Sequence, residues 1–355
     1  MLAGLRCHAD HSARAAGGGA SRFLVPLVTR GSSCNVGKVA DSVVVPFDEL
    51  PKLPESGLRH SWDLHGPGDQ LGTLNRLTEL VVAAAVTTVR TGERIGVSLP
   101  LGLPDPPFFG RQALKHTVFP MGPSAFDDFV DGFYLQCSSQ WDGLRHIGGP
   151  DGWYGGWQGK PEGDAESLGI HHWAARGIVG RGVLIDLAAA REGTGYDPFS
   201  PVAFTPDELS LALAGAGTEL RYGDIICVRT GWMDKYLAMS PPQRLELAET
   251  MANVTGYAAA GLFAGESMAR FLWDSGVAAV ACDNPAVEVV PGDRSVGFLH
   301  GRLITALGMA IGELFDFGPL AAACAREGRH EFLFVSVPLN ITGAVGSPAN
   351  AVAIL

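Results

Sequence analysis

Short apolar runs bounded by Gly, Asp or Pro recur along the chain: RIGVSLPL at 94–101, GRGVLIDLA at 180–188, GDIICVRTGW at 223–232, GVAAVACD at 276–283 and EFLFVSVPL at 331–339. They have strand length and do not alternate strictly, so they predict strands, several of them buried on both faces. Between them lie stretches with helical caps. LTELVVAAAVTTVRTG at 77–92 offers Thr78 as N-cap and Gly92 as a stop, and SPPQRLELAETMANVTG at 240–256 begins on Ser240 with prolines in its first turn. Interleaved helices and strands predict a mixed α/β domain, with strand order left open. The 47 glycines and 23 prolines imply short elements and exclude long helical bundles. No internal repeat is present, and no linker follows residue 58.

A chain of 355 residues, 46% hydrophobic and 18% charged, has ample material for a large core. No apolar run approaches the ~18 residues needed to cross a bilayer. The net charge of −11 and pI near 5.3, without a dense Lys/Arg cluster, set nucleic acid aside as a partner. Residues 1–57 differ from the rest. Across 1–40, Arg6, Arg14, Arg22, Arg30 and Lys38 stand against a single acid, Asp10, beside a GGG run. This predicts a poorly ordered or variable extension ahead of one catalytic domain at 58–355, with an Arg-rich organelle leader as the competing explanation. Cys7, Cys34, Cys137, Cys227, Cys282 and Cys324 lie far apart with no C-x-x-C pair, which fits reduced thiols in a cytoplasm.

The segment FYLQCSSQWDGLRHIGG at 133–149 places Gln136, Gln140, Asp142 and His146 at even offsets. In an extended chain an even set lies on one face, whereas a helix would separate Gln136 from Asp142 by roughly 240°. An extended ligand strand therefore suits the spacing, with Gly143 available to turn the chain before His146. The plain alternative is an amphipathic strand whose polar face meets water. Farther on, His300 and Glu313 would lie about 220° apart on one unbroken helix. They can meet only if a helix over 301–307 ends near Gly308, letting the chain return.

Several blocks, in order, resemble the cyclase family, which includes kynurenine formamidase and isatin hydrolase. WDLHGPGDQLGTLNRLT at 62–78, GDIICVRTGW, AAGLFAGESMARFLWDSGVAAVACD at 259–283, HGRLITALGMAIGELFDFGPL at 300–320 and PLNITGAVGSPANAVAIL at 338–355 are similar to family blocks. The family's H-x-G-T-H-x-D-x-P-x-H signature falls on Gln136, Ser138, Ser139, Gln140, Asp142, Leu144 and His146. Both ligand histidines are thus glutamines here, in a Q-x-S-x-Q-W-D-G-L-x-H variant.

The resemblance implies a swivelling β/β/α cyclase-like fold, with mixed sheets, a barrel-like core and surrounding helices. It implies Asp142, His300 and Glu313 as metal ligands, Gln140 and Gln136 at the replaced ligand positions, and His146 as general acid/base. One imidazole, two carboxylates and amide oxygens form a hard donor set, suited to one or two ions of Mn²⁺ or Zn²⁺, with Mg²⁺ tolerated. The alternative for the two glutamines is that they hydrogen-bond substrate or a water behind the ligands and ligate nothing. The implied reaction is attack of metal-activated water on a cyclic amide, a lactone or an aryl formamide. A metal-dependent lyase or cyclase, and a non-catalytic small-molecule-binding protein with a weakened metal site, are the competing functions. Trp62, Trp141, Trp153, Trp157 and Trp173 are candidates to line a pocket for a flat or aromatic substrate, Trp62 and Trp141 foremost, with core or rim packing the plain alternative for each. One of His171 and His172 is expected to reach the site, and GWYGGWQGKPEGD at 152–164 to cover it. By analogy the protein is a homodimer or homotetramer acting on a small-molecule substrate.

Overall fold

The computed structural model describes residues 44–253 and 256–355. Its strands in chain order are β1 (Arg94–Gly96), β2 (Lys115–Gly122), β3 (Ala125–Asp131), β4 (Gln140–Asp142), β5 (Ile178–Asp186), β6 (Ala203–Phe204), β7 (Ile225–Arg229), β8 (Gly261–Leu262), β9 (Ala279–Cys282), β10 (Ala310–Glu313), β11 (Glu331–Ser336), β12 (Gly346–Pro348) and β13 (Ala351–Ile354). One nine-stranded mixed sheet runs in the order β1-β13-β11-β5-β7-β9-β10-β4-β12. It curls into a half-barrel with helices around it, the expected cyclase-like architecture. β5, β7, β9 and β10 are parallel at its centre, flanked by antiparallel β11 and β4.

All five apolar runs contribute a strand. The central ones are buried on both faces because alternate residues enter different cores. Leu184, Ile225, Cys227, Ala279 and Ala281 pack on one side, and Val183, Ile185, Ile226, Val228 and Val280 on the other. The run at 94–101 yields only the short β1, because Leu99 N turns away to donate to Ser139 Oγ at 2.8 Å.

Thr78 caps the helix Glu79–Val86 as expected, accepting from Val81 N. That helix stops well before Gly92, where the Thr87 and Thr88 hydroxyls donate back to the carbonyls of Ala84 and Ala85. The helix Pro241–Thr250 starts at Ser240, whose N–H donates to Gln243 Oε1, and ends before the expected 256.

Residues 1–43, with most of the expected extension and leader, lie outside the described residues. The boundary at 57 is corrected: Phe47, Leu50 and Leu53 are buried, and Phe47 N donates to Asp274 Oδ1 at 2.8 Å. Residues 44–57 therefore belong to the domain. An additional element is the antiparallel hairpin of β2 and β3, whose second strand is exposed along its whole length.

Candidate metal centre and its pocket

β4 lies between β10 and β12, and its alternation points Gln140 and Asp142 to one face and Trp141 to the other. The β4–β10 register sets Glu313 opposite Gln140, whose Nε2 donates to Glu313 Oε2 at 2.7 Å. His300 precedes a π-helical turn, Gly301–Ala306. Gly308 then takes φ +62° and sends the chain back into the sheet as β10. That reversal brings His300 Nε2 to 3.1 Å from Glu313 Oε1, as the spacing of these two residues demanded.

The extended segment expected over 136–146 is realised only at 140–142. Gln136 lies in the turn before β4, and the chain turns again after Gly143, with His146 N donating to the Gly143 carbonyl. The side chains nevertheless converge. Gln136 Nε2 donates to Asp142 Oδ1 and lies 3.1 Å from His146 Nδ1. Asp142 Oδ2 is 3.8 Å from His146 Nε2 and 3.7 Å from His300 Nε2. Asp142, His146 and His300 can each offer one ligand atom, all within 4.8 Å of one another.

The amide contact defines a tautomer. An ionised carboxylate only accepts, so the Gln136 nitrogen must face Asp142, and its second hydrogen faces His146 Nδ1. A neutral His146 then carries its own hydrogen on Nε2. Gln136 thus orients its neighbours through nitrogen, whereas Gln140 Oε1 is buried without a hydrogen-bond partner.

Sequence reasoning missed Glu288, whose Oε2 lies 2.7 Å from His300 Nδ1; nothing in the short run NPAVEVV distinguishes it. With Glu288 included, three carboxylates surround one imidazole, and Asp142, Glu288, Glu313 and His300 are only 1%, 4%, 5% and 6% exposed. Burial disfavours the His300 imidazolium, but Glu288, Asp142 and Glu313 outweigh it and raise its pKa well above the ordinary value. Burial also pushes Glu313 up to about 7, with the Asp142 charge adding to it. Asp142 is raised by burial but held lower overall by His146, His300 and Gln136. His146 is lowered, chiefly by burial, with the Asp142 charge opposing.

These residues fit a divalent cation. Asp142 Oδ2 is buried with no hydrogen-bond partner while two imidazole nitrogens face it. Excess buried negative charge is costly unless a cation offsets it. Ligand atoms about 2.0–2.2 Å from one ion lie roughly 3 Å apart, close to the His300–Glu313 separation.

The centre opens into a cavity of about 510 Å³ whose walls include Phe109, Arg111, Tyr257 and Phe298, and which reaches His146, His300 and Glu313 but not the more deeply buried Asp142. Trp141 is not among its walls: fully buried, it packs on Phe315 and Phe334 and donates to Ser336 Oγ. Trp62 is also removed from the pocket, its Nε1 donating to the Thr305 carbonyl at 2.7 Å. His171 and His172 lie on the helix His171–Arg176, not on a strand, and neither reaches the centre. His171 Nδ1 accepts from Gly343 N, and His172 Nε2 pairs with the Glu166 carbonyl. The loop 152–164 does not cover the cavity either, since Arg145 ties it down through the carbonyls of Pro161 and Asp164.

Comparison with known proteins agrees with this architecture. The family described as "Putative cyclase" matches residues 100–289. A crystal structure described as a novel cyclase is 30% identical, covers 83% of this chain and 99% of its own, and has a TM-score of 0.72. The chain belongs to the cyclase family. An isatin hydrolase bound to thioisatinate shares the fold at 16% identity, with 74% of this chain and 92% of its own covered and a TM-score of 0.51. Isatin hydrolase A from Labrenzia aggregata, bound to benzyl benzoate, is likewise 16% identical, with coverages of 78% and 98% and a TM-score of 0.50. No curated protein matches the chain.

Proposed function

We propose that this protein is a metal-dependent hydrolase that opens the C–N or C–O bond of a cyclic amide, a lactone or an aryl formamide. The observation that carries this is Asp142 Oδ2, a buried acceptor without a hydrogen-bond partner, faced by His146 and His300. Asp142, His300 and Glu313 would hold one divalent ion, Mn²⁺ or Zn²⁺, with Mg²⁺ also accommodated, and Gln140 Oε1 offers a further neutral donor. When bound, such an ion supplies Lewis acidity that activates water and polarises the scissile carbonyl.

The chain's own groups do the rest. Glu288 accepts the hydrogen of His300 Nδ1, so the proton His300 would lose on holding an ion is the one on Nε2, the nitrogen turned toward Asp142 and Glu313. Gln136 keeps neutral His146 as the Nε2–H tautomer, so the ring enters as a hydrogen-bond donor to the developing oxyanion or the leaving group. The ring's one lone pair, at Nδ1, would exchange its Gln136 hydrogen bond for the proton lost by the attacking water, and the imidazolium would pass its Nε2 proton to the leaving group. The apolar cavity walls exclude water from the reacting bond.

The test is metal analysis of the purified protein, followed by turnover of a lactone, a cyclic imide and an aryl formamide before chelation, after it, and after reloading with each ion. The lactone and the imide are expected to give one ring-opened product a water heavier than the substrate, and the aryl formamide to give the free arylamine and formate. Absence of bound metal together with absence of metal-restored turnover would overturn the assignment, and a product isobaric with substrate would identify a lyase or cyclase instead.

A further inference from the structure

The cavity beside the metal centre has one permanent cation in its wall, Arg111, and none of the described residues pairs with it. Arg111 is held at the rim by its backbone, with its N–H donating to Phe108 O and Phe109 N donating to Met251 O. Its guanidinium lies over the Phe109 ring, 5.2 Å from the centroid. Among the described residues it has no ion pair, and no side chain or carbonyl accepts a hydrogen bond from it. Arg90, Arg94, Arg221 and Arg294 share this state, but none of them lines this cavity, whereas buried arginines elsewhere are matched, as Arg181 is by Asp224. Arg111 is also close enough to His146 for its charge to disfavour protonation of that ring.

The rest of the wall sets the ligand's shape and polarity. Phe109, Tyr257 and Phe298 supply aromatic faces, and Ile147, Val289 and Val290 supply aliphatic ones. An uncharged substrate filling this space would strip water from the guanidinium and return nothing for it. A carboxylate matches the planar fork of donors, and its negative charge replaces the lost water. The ring beneath holds the fork in place, so little freedom is lost on pairing.

We propose that Arg111 is a specificity-determining residue, which selects substrates carrying a carboxylate on an aromatic or apolar body and holds that group away from the bond being cleaved. This rests on the cavity being the substrate site of the hydrolase described above.

The probes are 3-phenylpropionate and its neutral amide, titrated calorimetrically into the Mn²⁺-loaded protein, into R111L and into R111K. The expected result is roughly tenfold or greater preference for the carboxylate in the natural protein, loss of that preference in R111L and partial retention in R111K. Three outcomes overturn the assignment: no preference in the natural protein, no measurable binding of either compound at millimolar concentration, or a preference that survives in R111L and so belongs to the metal. Turnover is scored separately on the lactone and formamide panel. Failure of the hydrolase assignment appears there as absent metal-restored activity, whatever the binding preference; failure of the Arg111 assignment appears only in the binding titrations.

Discussion

Replacing Glu288 probes how strongly the centre depends on a residue that would touch no metal. Glu288 Oε2 and His300 Nδ1 are 2.7 Å apart, and both residues are buried, so water cannot readily take the place of either partner. In Glu288→Gln the amide oxygen can still accept from Nδ1, but the charge that makes the ring a stronger donor to an ion is gone. Carboxylates behind a ligating histidine typically contribute 10- to 100-fold in metal affinity, or about 1.4–2.8 kcal/mol. Glu288→Gln should lie near the lower end. Glu288→Ala should lie at the upper end, because His300 Nδ1–H then has no partner in a dry site and the ring loses its orientation. Titration of Mn²⁺ and Zn²⁺ against a chelating dye gives the Kd values. An unchanged Kd in Glu288→Ala would refute the placement of His300 at the ion.

Four further outcomes test the rest of the structure. Asp142→Ala should abolish metal occupancy, and elemental analysis showing a full complement would remove Asp142 from the ligand set. His146→Ala should retain metal and lose ~10²–10⁴ in turnover; an unchanged rate would dismiss its proton role. Gly308→Ala should lower stability by about 2–5 kcal/mol, combining the left-handed φ of +62° with a Cβ placed 2.4 Å from the buried Tyr154 ring, and an unshifted melting temperature would contradict this. Burial pushes Asp283 up to about 6, despite the opposing donors Thr230 N, Thr230 Oγ1 and Gly231 N. The folded state therefore holds this proton more tightly than the unfolded chain, whose Asp titrates near ~3.9. The associated stability, roughly 3 kcal/mol, is fully present below ~4 and lost as pH rises through about 6. Urea unfolding should show the natural protein gaining on Asp283→Asn between pH 7 and pH 4.5, and a pH-independent difference would oppose it.

The sheet's central strands were legible because both faces of β5, β7 and β9 are apolar, a pattern that depends on composition and needs no knowledge of pairing. The return of Glu313 toward His300 was legible for a different reason: helical geometry forbids their meeting unless Gly308 breaks the turn. Glu288 was not legible, since its role is created by tertiary approach to His300 from a segment with no periodic or motif signal. Trp141 shows the opposite failure. Its position between two site residues suggested a pocket wall, but strand alternation sends it to the far face, where Ser336 satisfies its indole N–H. His171 and His172 misled because they lie on a short helix away from the centre, where Gly343 N and the Glu166 carbonyl take up their ring nitrogens. The exposed β2–β3 hairpin carried mixed polarity on both faces, so no buried stripe announced it.

Gln140 and Glu313 face each other as register partners in an antiparallel ladder. Their spacing is therefore a property of backbone hydrogen bonding, indifferent to which side chain occupies position 140. That position behaves as a socket: an imidazole placed there would meet Glu313 without rearrangement of the chain. Position 136 lies on a turn and has no such ladder to hold it. A side chain at 140 is thus placed by the ladder, whereas one at 136 takes its place from the turn alone.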